Sequence, residues 1–295
     1  FRDKIEALER QSLCDFVVHT VVRSAEQLEA AKTRTVKVFL AASGLGARAG
    51  NGLELVKAAI ARGHQVLVHV EDMEDYVAIA GHARTHGPGR VHILHVPHQR
   101  FSQAVSSLGG GRVTAETCPQ YLLWELTRDR PGCNVNPPIE ASDLWPEIRA
   151  GHIHTIGTDH CSYTRQEKAE YGLPGFPGLE TMLRLMVAYG VEPGRISWAD
   201  LCRLLSSGPA SILGLYPRKG AVQVGSDADL IVLDPNHEEV AAVPRYGRSD
   251  FSAYEGLRLK GKILYPLVRG REVQAGAIVR RAAAGWGTWQ EAWSA

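Results

Sequence analysis

Apolar and polar positions divide the first 215 residues into two kinds of segment that alternate along the chain. Short, β-branched apolar runs, typical of strands buried on both faces, are followed by segments with helical periodicity. The strand-like runs are residues 15–22, 36–40, 65–70, 90–96, 112–117 and 154–159. This alternation predicts parallel βα units, arranged either as a doubly wound sheet or as a (β/α)8 barrel.

The pattern changes after about residue 216. The segments "GSDADLIVLDP" and "YPLVRGREV" predict strands of a small antiparallel unit, separated by turn-rich stretches. We therefore divide the chain into residues 1–215 and residues 216–295. In the tail, Trp286, Trp289 and Trp293 have helical spacing, which predicts packing against the domain or against a neighbouring subunit.

Composition restricts the classes of partner and compartment. The chain has 295 residues and a formal net charge of +1, which gives no reason to expect nucleic acid or an acidic membrane surface as a partner. Five widely spaced cysteines fit neither a disulfide framework nor a zinc motif, and they indicate a reducing, cytoplasmic environment. The first residue is Phe1 rather than Met, and we expect the chain to be part of a longer protein.

Lys37 is unexpected inside the apolar run 36–40, because a buried ammonium is costly unless it is paired, neutralised or chemically altered. Addition of CO₂ to the amine would convert the cation into a carbamate anion with two oxygens. Such an anion can bridge two metal ions, and its burial between cations is then favourable. One sequence leaves this chemistry as a hypothesis.

Ionisable residues recur near the carboxyl ends of the predicted strands, the end of a barrel that carries its chemistry. They are Lys37, His69, His95 and Asp159. Imidazoles and a carboxylate that converge from separate strands suit a metal such as Zn²⁺. Each residue also has a structural explanation, since strand histidines are more often hydrogen-bonded core residues and an aspartate before a loop is often a cap.

Several segments occur in the order found in one known family. These are "KVFLAASG", "VHVED", "ILHV", "TAETCPQYLL", "NVNPPI", "TIGTDHCSYTRQEK" and "GLYPRKGAVQVGSDADLIVLDP". Together they resemble the cyclic amidohydrolases, which comprise hydantoinase/dihydropyrimidinase, allantoinase and dihydroorotase. The resemblance covers nearly the whole chain and implies a (β/α)8 barrel with a small C-terminal β-sandwich subdomain.

The resemblance also implies roles for individual residues. Lys37 would be carboxylated and bridge two divalent metal ions, with zinc favoured and manganese or iron also suitable. His69 and His95 would bind the second metal, and Asp159 the first. Asp159 would also take a proton from the attacking water and pass it to the leaving nitrogen. Asn136 matches a position where the chain hydrogen-bonds the cyclic amide.

Departures from the family pattern concern the first barrel strand. The family carries two metal-binding histidines as HxH at the end of that strand, whereas this chain shows six strand patterns that match the third to the eighth. The HxH formed by His152 and His154 precedes Asp159 by a strand length, so we expect it at the opposite end of the barrel. Ala42, followed by Ser43–Gly44, stands where hydantoinases carry a substrate-binding Tyr and looks more like allantoinase.

Two classes of function remain in competition. The first is a binuclear metal-dependent hydrolase that opens a cyclic amide, with hydantoinase/dihydropyrimidinase favoured and allantoinase or dihydroorotase as alternatives. The second is a non-catalytic, dihydropyrimidinase-like assembly protein that keeps the barrel and binds no metal. The family also predicts a homo-oligomer. A nucleotide-binding protein is excluded because no strand pattern is followed by GxGxxG or GxxxxGK[ST].

Overall fold

The computed structural model describes residues 1–40, 51–275, 278–279 and 285–292. Its main feature is a parallel sheet of six strands, in which every strand pairs with the next one along the chain. These strands are β1 (Thr20–Val21), β2 (Thr35–Phe39), β3 (Gln65–His69), β4 (Arg90–Ile93), β5 (Val113–Thr117) and β6 (Thr155–Ile156). The predicted succession of parallel βα units is confirmed.

Helices precede, connect and follow these strands. They are α1 (Arg2–Gln11), α2 (Ala25–Glu29), α3 (Gly52–Ala61), α4 (Met73–Thr85), α5 (Gln99–Leu108), α6 (Pro119–Leu122), α7 (Trp124–Thr127), α8 (Trp145–Arg149), α9 (Arg165–Tyr171), α10 (Met182–Met186), α11 (Trp198–Cys202) and α12 (Gly208–Ile212). Of these helices, α3, α4 and α5 pack on the sheet. Two π-helical segments, Val187–Val191 and Arg203–Ser207, continue α10 and α11. Within the described ranges, no helix combines the length and apolarity needed to cross a membrane.

The two faces of the sheet differ in burial. On β2, Val36 and Val38 are fully buried beneath the helices, whereas Lys37 and Phe39 on the opposite face are half-buried. The expectation that this strand is buried on both faces is therefore wrong for its inner face. The described six-stranded sheet is open, so solvent reaches the inner side of β2.

Two large apolar clusters form the core. The first packs β2–β5 against α3, α4 and α5. The second lies beneath the β6 side of the sheet and combines residues 118–204 with the segment 241–259, where Phe251 and Tyr254 are fully buried. The segment that follows β7 therefore contributes to the same core as the last part of the parallel sheet.

The C-terminal part forms small antiparallel sheets, as predicted. One has the order β7 (Leu230–Val240), β8 (Arg258–Val268) and β9 (Arg271–Glu272), and the other pairs β10 (Gln274–Ala275) with β11 (Ile278–Val279). The tryptophans of the tail do not form a helix in residues 286–292. Trp286 donates from Nε1 to the Val268 carbonyl at 2.8 Å, and Trp293 lies outside the described residues.

A group of charged side chains, which we call the clasp, fastens the N-terminal segment to the C-terminal one. Lys219 Nζ lies 2.7 Å from an oxygen of Asp229, 2.9 Å from one of Asp227, and also bonds Asp15. Arg269 makes a second bond to Asp15. The three carboxylates approach one another closely enough to hold a cation, and the Lys219 ammonium fills that role.

Candidate metal centre

His69 and His95 meet at the carboxyl ends of neighbouring strands. His69 is the last residue of β3, and His95 lies two residues beyond β4. Both are almost completely buried, and His69 Nδ1 lies 2.8 Å from His95 Nε2. Two nitrogen ligands of one tetrahedral zinc ion lie about 3.3 Å apart at Zn–N distances of about 2.0–2.1 Å. The two rings therefore need to separate by only a few tenths of an ångström to accept a cation between them.

The second nitrogen of His69 determines what its first nitrogen can do. His69 Nε2 lies 2.9 Å from Glu71 Oε1, and a carboxylate accepts, so Nε2 carries the proton. In the neutral ring, Nδ1 then has a free lone pair that points at His95. Neutral His95 has two tautomers: in one, Nε2 donates to His69 Nδ1, and in the other, both nitrogens present lone pairs to one point. In either tautomer, the buried His95 Nδ1 has no hydrogen-bond partner among the described residues. The second tautomer provides the donor set of a divalent metal.

Both imidazoles are neutral at physiological pH. Burial and, to a smaller extent, the positive charge of Lys37 together lower the pKa of His69 to about 3. Burial, followed by the neighbouring His69 and Lys37, holds the pKa of His95 well below its usual range. Neutral imidazole is the protonation state that binds metals, so these two rings need not lose a proton when a cation binds.

Lys37 lies on the inner face of β2, two residues before Phe39, which pairs with His69 in the ladder. Its Nζ sits 4.6 Å from the centre of the Phe39 ring. Burial lowers the pKa of Lys37 to about 8, although the charges of Asp159 and Glu116 oppose the shift. An appreciable share of the amine is therefore unprotonated near neutral pH, which is the form that can react with CO₂.

Asp159 follows β6 and completes the group of four. The residue as a whole is exposed. The protein around the carboxylate raises its pKa by desolvation, and the nearby Lys37 ammonium opposes the rise. The charge of Lys37 contributes to the pKa shifts of His69, His95 and Asp159, which supports the prediction that the four residues act together.

His95 and Asp159 both have left-handed backbone conformations, with φ of 41° and 46°. Non-glycine residues adopt such angles uncommonly, at a cost of about 1–3 kcal/mol, and they are concentrated at functional sites. Each of these two residues lies just outside the ladder of its strand, where a left-handed residue can turn the chain away from the sheet. Their backbone conformation thus supports a functional role that the strand pattern alone does not require.

Asn136, the predicted substrate contact, is half-buried in the connection between β5 and β6. Its neighbour Pro137 accepts a 2.7 Å hydrogen bond from the hydroxyl of Tyr121, whose side chain is fully buried. This bond anchors the backbone next to Asn136 to the core. Across the described ranges, no hydrogen bond connects Asn136 to the four residues above, so its role stays a prediction.

Lys168 holds the loop that follows Asp159, and sequence reasoning missed it. Its Nζ donates to the carbonyls of Leu173 at 2.8 Å and Gly175 at 2.5 Å, while the Gly175 amide donates to Asn134 at 2.8 Å. A buried ammonium thus ties the loop to the segment that carries Asn136. The same loop is fixed by His160, whose Nδ1 accepts from the Gly178 amide at 3.2 Å.

Two carboxylates were also missed. Glu71 stands two residues after His69, so the period of a strand places both on one side, and the segment "HVED" carried that signal. Glu116 lies on β5, and its carboxyl approaches Gly157 so closely that a Cβ added there would lie 2.6 Å away. No spacing in the sequence indicates that contact.

His152 and His154 lie away from the four residues, on the amino-terminal side of β6. His152 Nδ1 lies 2.8 Å from Glu147, and His154 Nδ1 accepts from the Ala115 amide at 3.1 Å. Both rings are therefore used in structural contacts. The segment Ala42–Gly44, which bears on the substrate, lies outside the described residues.

Comparisons with known proteins identify the family to which the chain belongs. The model of the amidohydrolase family matches residues 17–273. The D-hydantoinase of Ralstonia pickettii is 34% identical over 203 residues, which are 62% of this chain and 44% of that protein. In three dimensions, the chain is similar to a D-hydantoinase (dihydropyrimidinase) from Thermus sp., with a TM-score of 0.85 and 23% identity over 99% of this chain and 76% of the other.

An L-hydantoinase (dihydropyrimidinase) from Arthrobacter aurescens gives a TM-score of 0.83 at 26% identity, over 98% of this chain and 76% of the other. These likenesses confirm the predicted fold class, a TIM-like barrel with a small β unit. The chain spans less than half the length of the curated relative that it matches. With the family model covering most of its residues, the chain belongs to the amidohydrolase family.

Proposed function

We propose that this protein takes part in the metal-dependent hydrolysis of a cyclic amide C–N bond, with a hydantoin or a dihydropyrimidine as the favoured substrate. The observation that carries the proposal is the convergence of His69 Nδ1 and His95 Nε2, 2.8 Å apart, beside Lys37 and Asp159. The names of the similar proteins support this choice of substrate. Allantoin-like and dihydroorotate-like rings remain the alternatives to test.

The ligand set fits two divalent ions. His69 and His95 would hold one, Asp159 the other, and Lys37, once carboxylated, would bridge them. When bound, such ions supply Lewis acidity and lower the pKa of a water molecule. Zinc suits the two imidazoles, while manganese and iron suit the mixed nitrogen and oxygen set equally well.

Asp159 would carry the proton in this reaction. Its carboxylate accepts a proton from the attacking water as the new C–O bond forms, and donates it to the ring nitrogen as the C–N bond breaks. Its exposed position beside Lys37 allows both partners to approach. Asn136 would hydrogen-bond the amide of the ring, on a backbone that Tyr121 and Lys168 hold in place.

The broader organisation is proposed on the same basis. Residues 1–215 would form the barrel part and residues 216–295 the β subdomain with its tail. A cytoplasmic, homo-oligomeric protein that acts on a small molecule suits the composition and the family.

The metal content of the full chain tests the proposal. The protein would be expressed with bicarbonate and zinc or manganese and analysed by elemental analysis. About two metal ions per chain would support the binuclear site. About one would contradict a binuclear site in this chain and leave a site formed by part of the ligand set, whereas none would favour the non-catalytic alternative.

That alternative, a non-catalytic assembly protein, is favoured by one observation. The described residues contain no HxH beside the four site residues, because His152 and His154 belong to the amino-terminal side of β6. Preparations that bind no metal, open no hydantoin or dihydropyrimidine ring and still form a defined oligomer would establish it.

A prediction concerns the carboxylate behind His69. Replacing Glu71 with alanine removes the acceptor of the His69 Nε2 proton, so the ring loses its orientation. We expect the affinity for zinc to fall by about 10–100-fold, the usual effect of losing such a partner. Competition with a chromophoric chelator measures it.

Glu74→Ala is the matched control. Glu74 is exposed on α4, and its replacement removes one negative charge from the same segment without touching His69. Equal zinc affinities for the two variants would show that Glu71 does not orient the ligand.

A further inference from the structure

A cavity lies at the amino-terminal end of the parallel sheet, opposite the end that carries Lys37, His69, His95 and Asp159. Its volume is about 220 Å³, and it is bordered by the amino-terminal ends of β3–β6 and the π-helical segment 203–207. Its polar lining residues are Gln65, Arg90, Arg112, Thr114, His154, Arg203 and Ser211. Gln65 begins the strand that His69 ends, so about 13 Å of strand separates the cavity from the metal centre.

The lining is strongly positive. Three guanidinium groups border the cavity, and no carboxylate of the described chain is among its lining residues. Arg112 is held in place by the carbonyls of Gly89, at 2.8 Å, and Gly87. Arg203 Nη2 donates to the Ile148 carbonyl at 3.4 Å and also to the carboxylate of Asp200, which lies outside the lining, at 3.4 Å. Guanidinium groups held in fixed positions are a common feature of oxyanion sites.

Neutral donors add to this positive lining. Gln65 is 4% exposed, and its buried Nε2 has no hydrogen-bond partner within the described ranges. A buried donor of this kind costs about 1–3 kcal/mol unless a ligand or water accepts from it. His154 Nδ1 accepts from the Ala115 amide, so in the neutral ring Nε2 carries the proton and is a further donor.

Size restricts the ligand. Pockets for drug-sized molecules and organic cofactors enclose about 300–1,000 Å³, and this cavity is smaller. A nucleotide is therefore excluded, whereas a compact ion with several acceptor oxygens fits the number and type of donors. Acceptor oxygens with two negative charges would accept hydrogen bonds from Arg112, Arg203 and the Gln65 amide together.

We propose that this cavity binds a small oxyanion that carries two negative charges, of the chemical class of inorganic phosphate. The bound ion bridges Gln65 on β3, Arg112 before β5 and Arg203 on the π-helical segment. It therefore ties together the amino-terminal ends of strands whose other ends carry the metal centre. The site is independent of the proposed hydrolysis, and its test requires no activity.

Thermal unfolding of the full chain in inorganic phosphate, compared with chloride at the same ionic strength and pH, tests the proposal. At a phosphate concentration about 100 times Kd, we expect Tm to rise by about 5 °C relative to chloride. Isothermal titration with phosphate then gives the stoichiometry, which is expected to be about one.

The variant Gln65→Glu identifies the site. It replaces the side-chain NH₂ with an oxygen and so places a negative charge beside the guanidinium groups. This carboxylate should repel phosphate, and phosphate should then no longer raise Tm. Gln223→Glu makes the same change of charge at an exposed residue outside the cavity and should keep the full phosphate response.

Equal Tm values in phosphate and chloride would overturn the proposal, and so would a phosphate response in Gln65→Glu equal to that of the unaltered protein. Arg203→Gln provides an independent variant if Gln65→Glu does not fold. It removes one of the three cations and should raise the Kd for phosphate at least about tenfold. An unchanged Kd in that variant would likewise contradict the site.

Discussion

Replacing Asp159 with asparagine is expected to reduce kcat for ring opening of a hydantoin or dihydropyrimidine by about 10²–10⁴-fold. The amide of asparagine cannot accept the proton of the attacking water, and it is a poorer metal ligand than a carboxylate. The substitution keeps the shape of a side chain whose backbone has a left-handed φ of 46°. Loss of activity would therefore reflect chemistry rather than local misfolding.

Metal content separates the two roles of Asp159. If metal content is unchanged while kcat falls, the carboxylate acts chiefly in proton transfer; if both fall, it acts chiefly as a ligand. Asp129→Asn is the matched control, because Asp129 is exposed and pairs only with the neighbouring Arg128 at 3.4 Å. Full activity in Asp159→Asn would remove Asp159 from the mechanism.

Replacing Lys219 with methionine is expected to lower the free energy of unfolding by about 3–5 kcal/mol, the usual cost of removing one partner of a buried ion pair. The clasp leaves the carboxylates of Asp15, Asp227 and Asp229 near one another, and Lys219 is the ammonium that they share. Methionine keeps much of the apolar stem and removes the charge. Urea denaturation followed by circular dichroism measures the change.

Lys57→Met is the control for this prediction. Lys57 pairs with Glu54 one helical turn away, at 2.7 Å, and both side chains reach solvent. Such a pair contributes about 0–1 kcal/mol, so its loss should change stability little. If the Lys219 variant were no less stable than the Lys57 variant, Lys219 would not hold the clasp together.

Acid should weaken the ion pairs that Asp15 makes in the clasp with Lys219 and Arg269. Burial raises the pKa of Asp15, but hydrogen bonds from Arg269 and Lys219 outweigh it and hold the pKa at about 2, below the usual 3.8. A carboxyl whose pKa is lowered by folding stabilises the protein above its unfolded-state pKa and loses that contribution as the pH falls through the folded value. The Asp15 contribution should therefore be complete above about pH 4 and disappear toward pH 2.

The sequence was most informative where periodicity and packing agree. Strands β2, β3 and β5 lie within a residue or so of the predicted runs because their apolar faces pack directly on α3, α4 and α5. The run 154–159 gives only a two-residue strand, because the chain leaves the ladder at Gly157 and turns at Asp159. Apolar periodicity does not encode that departure.

In the candidate site, too, some residues could be predicted from the sequence and others could not. The prediction of four residues at the strand ends rests on strand pattern and ligand chemistry, because parallel strands bring their carboxyl ends to one edge of the sheet. Lys168 could not be chosen, since its partners are backbone carbonyls of Leu173 and Gly175 that any residue type would offer. The positive cavity could not be predicted from the sequence either, because its lining residues come from the beginnings of several strands and from a later helical segment.

Some site residues lie within a strand ladder and others lie beyond the end of a strand. This difference determines where insertions and deletions can be tolerated during evolution. Lys37 and His69 are fixed by the ladder between β2 and β3, where inserting one residue would turn each onto the opposite face and disrupt the core simultaneously. His95 and Asp159 lie beyond the ends of their strands. Lineages can therefore lengthen or shorten the loops after these two residues, and so vary what the pocket accepts, whereas insertions within β2 or β3 would be eliminated by selection.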